Sequence, residues 1–143
     1  MSAFTWQARV YWEDTDAGGI VYYANYLRFL ERARSEWLRA CGISQRALSL
    51  EPGIVFSVVS LQVQYRRPAR LEDLLVISCV PALQGGASIG FTQCIWLERC
   101  DGELLLTASA RIACLDVHTL KPRRLPPVVI AQLAADEPAA GKE

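Results

Sequence analysis

Several features that define other classes of protein are missing from this sequence. Its five cysteines are an odd number without any C-x-x-C spacing, which argues against a disulfide framework and a zinc site. No run approaches the roughly 20 uninterrupted apolar residues of a membrane span, and the N-terminus lacks the features of a secretory signal. Fifteen basic and fifteen acidic side chains leave no net charge to attract nucleic acid or an anionic membrane. We therefore expect a cytoplasmic protein that does not bind nucleic acid or insert into membranes.

The 143 residues fit one domain, which we predict to span residues 1–133 and to be followed by a frayed or disordered tail over 134–143. Between Tyr22 and Gly42 the apolar residues recur at spacings of three and four, which is typical of an amphipathic helix. Gly42 is suited to end this helix because glycine adopts the left-handed conformation without a steric penalty. The predicted buried positions are Tyr26, Leu30, Ala33, Trp37 and Cys41.

The rest of the chain shows the period of two that is typical of strands with one buried face. The second strand is predicted to turn Val59, Leu61, Val63 and Tyr65 towards the core. Tight turns at 84–86 and 101–102 indicate antiparallel pairing, so the fold class is α+β with one helix covering an antiparallel sheet. We predict strands over about residues 7–12, 59–65, 74–80, 89–97 and 106–114.

The segment between the first strand and the helix is the best candidate for a functional site. It contains Asp14, Asp16 and the pair Gly18–Gly19. Glycines let backbone approach a ligand closely, and the first N–H groups of a helix have no partner within the helix. A structural role is the alternative, with Asp16 capping the helix and the glycines forming a turn. The residues by themselves leave both interpretations open.

Two stretches of the chain carry a resemblance to a known family. The first has Arg9-Val10, Thr15-Asp16, Gly19, Val21 and Asn25-Tyr26 in the spacing of the family signature, and the second runs from Tyr65 to Asp73. With these motifs the chain resembles the hotdog-fold acyl-CoA thioesterases of the 4-hydroxybenzoyl-CoA thioesterase type. Within that family it is most similar to the bacterial group associated with the Tol-Pal envelope system.

The resemblance implies a bent antiparallel sheet wrapped around one long helix. It also implies subunits paired edge to edge, as dimers or dimers of dimers, with active sites at the interface and no metal or redox cofactor. The substrate would be a small acyl-CoA, short-chain or aromatic. The family roles fall on Asp16, which acts on the thioester carbonyl, and on the backbone N–H of Tyr23, which polarises that carbonyl.

Elementary chemistry is consistent with these roles. A thioester carbonyl becomes an oxyanion during attack, and one preorganised donor there is worth on the order of 3 kcal/mol. Asp16 can act as a nucleophile or as a general base, and the sequence does not choose between them. Many members of the Tol-Pal-associated group have histidine where this chain has Tyr23, so acyl preference and pH dependence are the properties that we expect to differ.

Other candidates have weaker signals. Gly18 and Gly19 are expected to border the substrate, and Arg66 and Arg67 either hold coenzyme A phosphates or clamp a subunit interface. The basic cluster 121–124 is a phosphate site or a solvated loop, and the single histidine, His118, is given no role. Two other functions stay open: a thioesterase acting on acyl carrier protein, and a module that binds acyl thioesters or envelope proteins without turnover.

Overall fold

The computed structural model describes residues 3–136, and it contains five strands and three helices in that range. Two short 3₁₀ turns, Trp12–Asp14 and Tyr23–Asn25, flank the segment singled out above. The strands are β1 (Phe4–Arg9), β2 (Ile54–Tyr65), β3 (Leu74–Gln84), β4 (Ser88–Leu97) and β5 (Leu104–Asp116), and the helices are α1 (Tyr26–Ala40), α2 (Gln45–Leu50) and α3 (Pro127–Asp136).

The strands form one antiparallel sheet in the order β1-β3-β4-β5-β2. The consecutive strands β3, β4 and β5 are neighbours, as their tight turns predict. Strand β2 follows α1 and α2 and pairs with β5 at the far edge, so β1 and β2 are the two edges of the sheet. The pairing of β2 shifts by one residue between Val58 and Ser60, which makes Val59 the bulged residue.

Helix α1 packs its apolar face against the sheet. Tyr26, Leu30, Ala33 and Trp37 are buried as predicted, and Cys41 is half-buried just beyond the helix end. Gly42 follows with a φ of +80°, and its N–H donates to the carbonyl of Arg39, which confirms the predicted stop. The edge of the Trp37 ring contacts Phe91 of β4, with centroids 5.7 Å apart.

The structure corrects three expectations. One helix was predicted, but α2 and α3 are also present, and Val129 and Leu133 of α3 are buried in the core. Val59 and Tyr65 are exposed although they were predicted to face the core, because Val59 is bulged and Tyr65 turns towards Tyr23. Helix α3 includes residues 134–136 of the segment predicted as a tail, and residues 137–143 lie outside the described residues.

Candidate active site

A tight hairpin-like loop carries the Asp16 carboxylate. Thr15 forms an antiparallel bridge with Val21, and the Asp16 N–H donates to the Ile20 carbonyl at 2.9 Å. The Gly19 N–H in turn donates to the Asp16 carbonyl at 3.0 Å. Gly19 has a φ of +82°, a conformation that favours glycine, so this residue lets the loop reverse its direction.

The two oxygens of the Asp16 carboxylate have different surroundings. Oδ1 accepts the Gly18 N–H at 2.8 Å, whereas Oδ2 has no hydrogen-bond donor among residues 3–136. A Cβ at position 18 would lie 3.3 Å from Oδ1, so glycine allows this close contact. Asp16 is exposed and does not cap a helix, so one oxygen orients the side chain and the other is open to a ligand.

The turn Tyr23–Asn25 leads directly into α1 and presents backbone donors. Tyr23 is the first residue of this turn, and its N–H has no acceptor within the described part of the chain. On the other side of the turn, the Tyr65 hydroxyl donates to the Tyr23 carbonyl at 3.0 Å. The Tyr23 side chain is 62% exposed, and its ring contacts Tyr22 and Tyr65.

Tyr26 connects this turn to the second motif. Its hydroxyl accepts the Ala69 N–H at 2.9 Å, and its ring packs against Tyr65 with centroids 5.5 Å apart. Burial raises the pKa of the Tyr26 phenol, the Ala69 hydrogen bond opposes the rise, and the nearby charges, including that of Asp16, add to it. The phenol is therefore neutral at physiological pH, and the Asp16 carboxylate lies within electrostatic range of it.

Asp14 differs from Asp16 in its burial and in its hydrogen bonds. It is only 8% exposed, and both of its carboxylate oxygens accept hydrogen bonds. Oδ2 accepts the Tyr11 N–H at 2.8 Å, and Oδ1 accepts the Asn25 side-chain amide at 2.7 Å. No spacing rule in the sequence pairs Asp14 with Asn25 or Tyr65 with Tyr23, so the sequence reasoning missed both contacts.

An open groove of about 930 Å³ lies beside this loop. Trp12, whose side chain is 84% exposed, lines the groove next to Tyr11 and Leu71. The charged residues of the lining are Arg9, Glu13 and Glu72. The volume of the groove is within the range of small-molecule sites. The carbonyl of Trp12, one of its lining residues, accepts the N–H of Thr15, the residue before Asp16. The groove therefore lies beside the segment that carries the carboxylate, and its lining ends at Glu13.

Comparison with known proteins decides the family. Residues 10–133 match the family model described as the thioesterase-like superfamily. The chain belongs to this superfamily. It is similar to the acyl-CoA thioester hydrolase YbgC of Escherichia coli, with 44% identity over 129 residues that cover 90% of this chain and 94% of that protein. A 1,4-dihydroxy-2-naphthoyl-CoA hydrolase of Nostoc punctiforme is 29% identical over 131 residues, covering 92% and 86%.

A solved structure agrees with this assignment. The crystal structure of a probable thioesterase from Bartonella henselae superposes with a TM-score of 0.81 at 38% identity, covering 87% of this chain and all of that one. The predicted thioesterase family and α+β hotdog fold are therefore confirmed. The association with the Tol-Pal system stays a prediction.

Within this thioesterase-superfamily chain, the remaining candidates occupy different positions. The N–H groups of Gly18 and Gly19 are both used inside the loop, so these glycines set its shape. The Arg67 side chain pairs with Glu103 at 2.9 Å, whereas the exposed Arg66 has no ion pair within residues 3–136. Arg66 lies near Cys94, where burial raises the thiol pKa and the Ser78 hydrogen bond and the Arg66 charge oppose the rise.

The basic cluster is a structured loop around Asp116. Arg123 pairs with Asp116 at 3.2 Å and donates to the Pro52 carbonyl at 3.0 Å. The N–H groups of Thr119 and His118 donate to the same carboxylate and lower its pKa. Between residues 3 and 136 no three His, Cys, Asp or Glu side chains are grouped to hold a metal ion, and no helix is long and apolar enough to cross a membrane.

Proposed function

We propose that this protein hydrolyses the thioester of an acyl-CoA, with Asp16 as the catalytic carboxylate and the Tyr23 N–H as the oxyanion donor. One observation carries the proposal. Within residues 3–136, the exposed Asp16 carboxylate has one oxygen without a donor and the Tyr23 N–H has no acceptor, and the two groups flank the same bridged pair, Thr15–Val21. The similarity to proteins named acyl-CoA thioester hydrolases supports this substrate class.

The geometry is suited to acyl transfer. As a nucleophile attacks the thioester carbonyl, negative charge develops on the carbonyl oxygen, and the fixed Tyr23 N–H stabilises it without having to reorient. Asp16 either attacks the carbonyl itself or removes a proton from water, and Oδ2 is the oxygen available for both roles. Both routes consume one water and release a carboxylic acid and the coenzyme A thiol.

For the acyl group we propose a small chain or an aromatic ring. The exposed rings of Tyr22, Tyr23 and Tyr65 form an aromatic surface beside the proposed donor. The relative named 1,4-dihydroxy-2-naphthoyl-CoA hydrolase supports the aromatic choice. Gly18, Gly19, Arg66 and Arg67 are proposed to border the bound thioester. Arg67 is paired with Glu103, and Arg66 has no ion pair within residues 3–136, so of these two arginines Arg66 is the better placed to bind a phosphate. A panel of short-chain, long-chain and aromatic thioesters scored by thiol release identifies the preferred acyl group.

The alternative donors of the acyl group give distinct results in that panel. If an acyl carrier protein supplies the substrate, its thioester is turned over much faster than the matching coenzyme A thioester. A module that only binds acyl thioesters or envelope proteins gives no thiol release with either. We also propose that the protein is a cytoplasmic homo-oligomer, and that it neither inserts into membranes nor binds nucleic acid.

Substitution of Asp16 tests the catalytic assignment. Asp16→Asn removes the carboxylate but keeps its shape, so we expect turnover to fall by at least about a hundredfold in a folded protein. Glu51→Gln is the matched control because it removes an exposed carboxylate that follows α2 and lies outside the loop and the groove. We expect Asp14→Asn to cost much less than Asp16→Asn, and near-normal turnover of Asp16→Asn would remove Asp16 from the mechanism.

A further inference from the structure

The buried carboxylate of Asp14 joins the two halves of the proposed site. Its Oδ2 holds the Tyr11 N–H at 2.8 Å and its Oδ1 holds the Asn25 amide at 2.7 Å, while its backbone carbonyl accepts the Tyr22 N–H at 3.0 Å. We propose that Asp14 is a positioning residue that sets the Tyr23 turn in register with the Asp16 loop. This inference rests on the proposed function.

The three bonds reach two segments that flank the reacting groups, because Tyr22 and Asn25 bracket the same turn. Tyr11 precedes the first 3₁₀ turn, and Asn25 closes the turn that begins at Tyr23. Asp14 itself is two residues before Asp16, so one side chain fixes the carboxylate loop and the donor turn together. A displacement of about 1 Å between reacting groups can cost about a hundredfold in rate, which gives this contact kinetic weight.

The side-chain chemistry of Asp14 and Asn25 fixes which of them donates the hydrogen bond. An ionised carboxylate only accepts hydrogen bonds, so Asp14 needs a donor on each oxygen, and it has the Tyr11 N–H and the Asn25 amide. In Asn25→Asp two carboxylates face each other and the hydrogen bond is lost. Adding Asp14→Asn reverses the roles: the new amide oxygen accepts the Tyr11 N–H, and the new amide N–H donates to the carboxylate at position 25.

Asp14→Asn alone is milder for a physical reason. The amide of Asn25 can rotate by half a turn and offer its oxygen to the new amide N–H, which restores one hydrogen bond per side. This rotation explains why the Asp14→Asn loss is expected to be small beside that of Asp16→Asn. The informative variants are therefore Asn25→Asp and the exchange Asp14→Asn with Asn25→Asp.

The experiment compares kcat and KM for the parent enzyme, Asn25→Asp and the exchange variant on one good thioester. Assays are run well below the Tm of each variant, after circular dichroism has shown that it is folded. We expect Asn25→Asp to lower kcat by about ten- to a hundredfold with little change in KM, and the exchange to recover kcat to within about threefold of the parent. General structural damage would make the exchange variant no better than the single variant.

Two results would overturn the inference. One is a kcat for Asn25→Asp within about twofold of the parent, and the other is a folded exchange variant without recovery. If Asn25→Asp does not fold, Asn25→Ala replaces it, and unchanged kcat in that variant also refutes the role. Failure of the proposed function gives a different result. In that case Asp16→Asn would keep its turnover, whatever the kcat values of Asn25→Asp and of the exchange variant.

Discussion

Asp14 and Asp16 are two residues apart and have opposite environments. Asp14 is buried, and both of its carboxylate oxygens accept hydrogen bonds. Asp16 is exposed, and one of its oxygens has no donor in the part of the chain that the structure describes. A carboxylate that is fully hydrogen-bonded is suited to hold a structure, and one with an open oxygen is suited to react. The D-x-D spacing thus combines a fixed anchor with a reactive group in one short loop.

The Tyr23 side chain provides a test of which part of that residue acts. The proposed contribution is the backbone N–H, and the phenol is exposed, so Tyr23→Phe should keep much of the turnover. Tyr23→His should also stay active, since the backbone donor is unchanged. The measurement is kcat on one thioester for both variants. A collapse of Tyr23→Phe towards the Asp16→Asn level, with the oligomeric state kept, would show that the phenol takes part.

At the residue scale, sequence could identify Asp16 and Tyr23 as candidates because both lie in a motif of fixed spacing. It could not identify their supports. The Asp14–Asn25 and Tyr65–Tyr23 contacts join residues 11 and 42 positions apart, and such pairs form only when the chain has folded. The hydrogen bonds that the Gly18 and Gly19 N–H groups form inside the loop were not predictable either, and the proposed position of these glycines beside the substrate stays a prediction.

At the element scale, α1 was predictable because its apolar spacing is regular and Gly42 ends it. Helix α3 was not, since it begins at Pro127 and continues with three β-branched residues, Val128, Val129 and Ile130, which have low helix propensity. Burial of Val129 and Leu133 against the sheet outweighs that propensity. These two buried positions lie one helical turn apart, and in a segment of ten residues they are too few to distinguish a helix from the sequence.

The contact of α1 with β3 predicts a dependence of stability on alkaline pH. Burial raises the pKa of the Cys79 thiol to about 12, while the Arg34 charge opposes the rise and Cys41 adds to it. Above a pH of about 9 the unfolded chain releases this proton and the folded chain keeps it. The free energy of unfolding should therefore fall by up to about 1.4 kcal/mol per pH unit between about 9 and 12.

Urea titrations under reducing conditions at several pH values measure this slope. Cys79→Ala should flatten the alkaline fall relative to the parent protein, because the titrating group is gone. Cys100→Ala is the matched control, since that side chain is exposed. The other buried thiols and Tyr26 contribute in the same direction in the parent and in Cys79→Ala. The contribution of Cys79 is therefore the difference between the alkaline slopes of the two proteins. Parallel curves for parent and Cys79→Ala would contradict the assignment.

At the scale of the whole molecule, the two sheet edges differ. Strand β1 has six residues and exposes Thr5, Gln7 and Arg9, whereas β2 has twelve and exposes Val58 and Val59. A long edge with apolar side chains is a template for pairing with another chain. We therefore expect β2 to be the edge used in the proposed homo-oligomer. The sequence could not say this, because turn signals fix neighbours within β3–β5 but not which strand closes the sheet.

Val59→Lys tests the pairing edge. Val59 is 57% exposed on β2, and a charge placed there in both copies of a symmetric pair repels and is costly to desolvate. We expect light scattering to show a dimer or tetramer for the parent protein and a monomer with reduced turnover for Val59→Lys. Thr5→Lys on β1 is the control and should keep the parent mass. A fully active monomeric parent would contradict an interface site.

The Tyr65 hydroxyl links the edge strand β2 to the Tyr23 turn. Tyr65 ends the edge strand β2, and it holds the carbonyl of the residue whose N–H is proposed to receive the oxyanion. In the dimer that we propose, association and ligand binding therefore act on one element, and linkage requires their effects to be reciprocal. In that dimer, dissociation of the subunits on dilution is expected to lower the affinity for the thioester, and a bound thioester is expected to strengthen subunit association. We therefore expect the specific activity to rise with protein concentration over the range in which the proposed dimer forms.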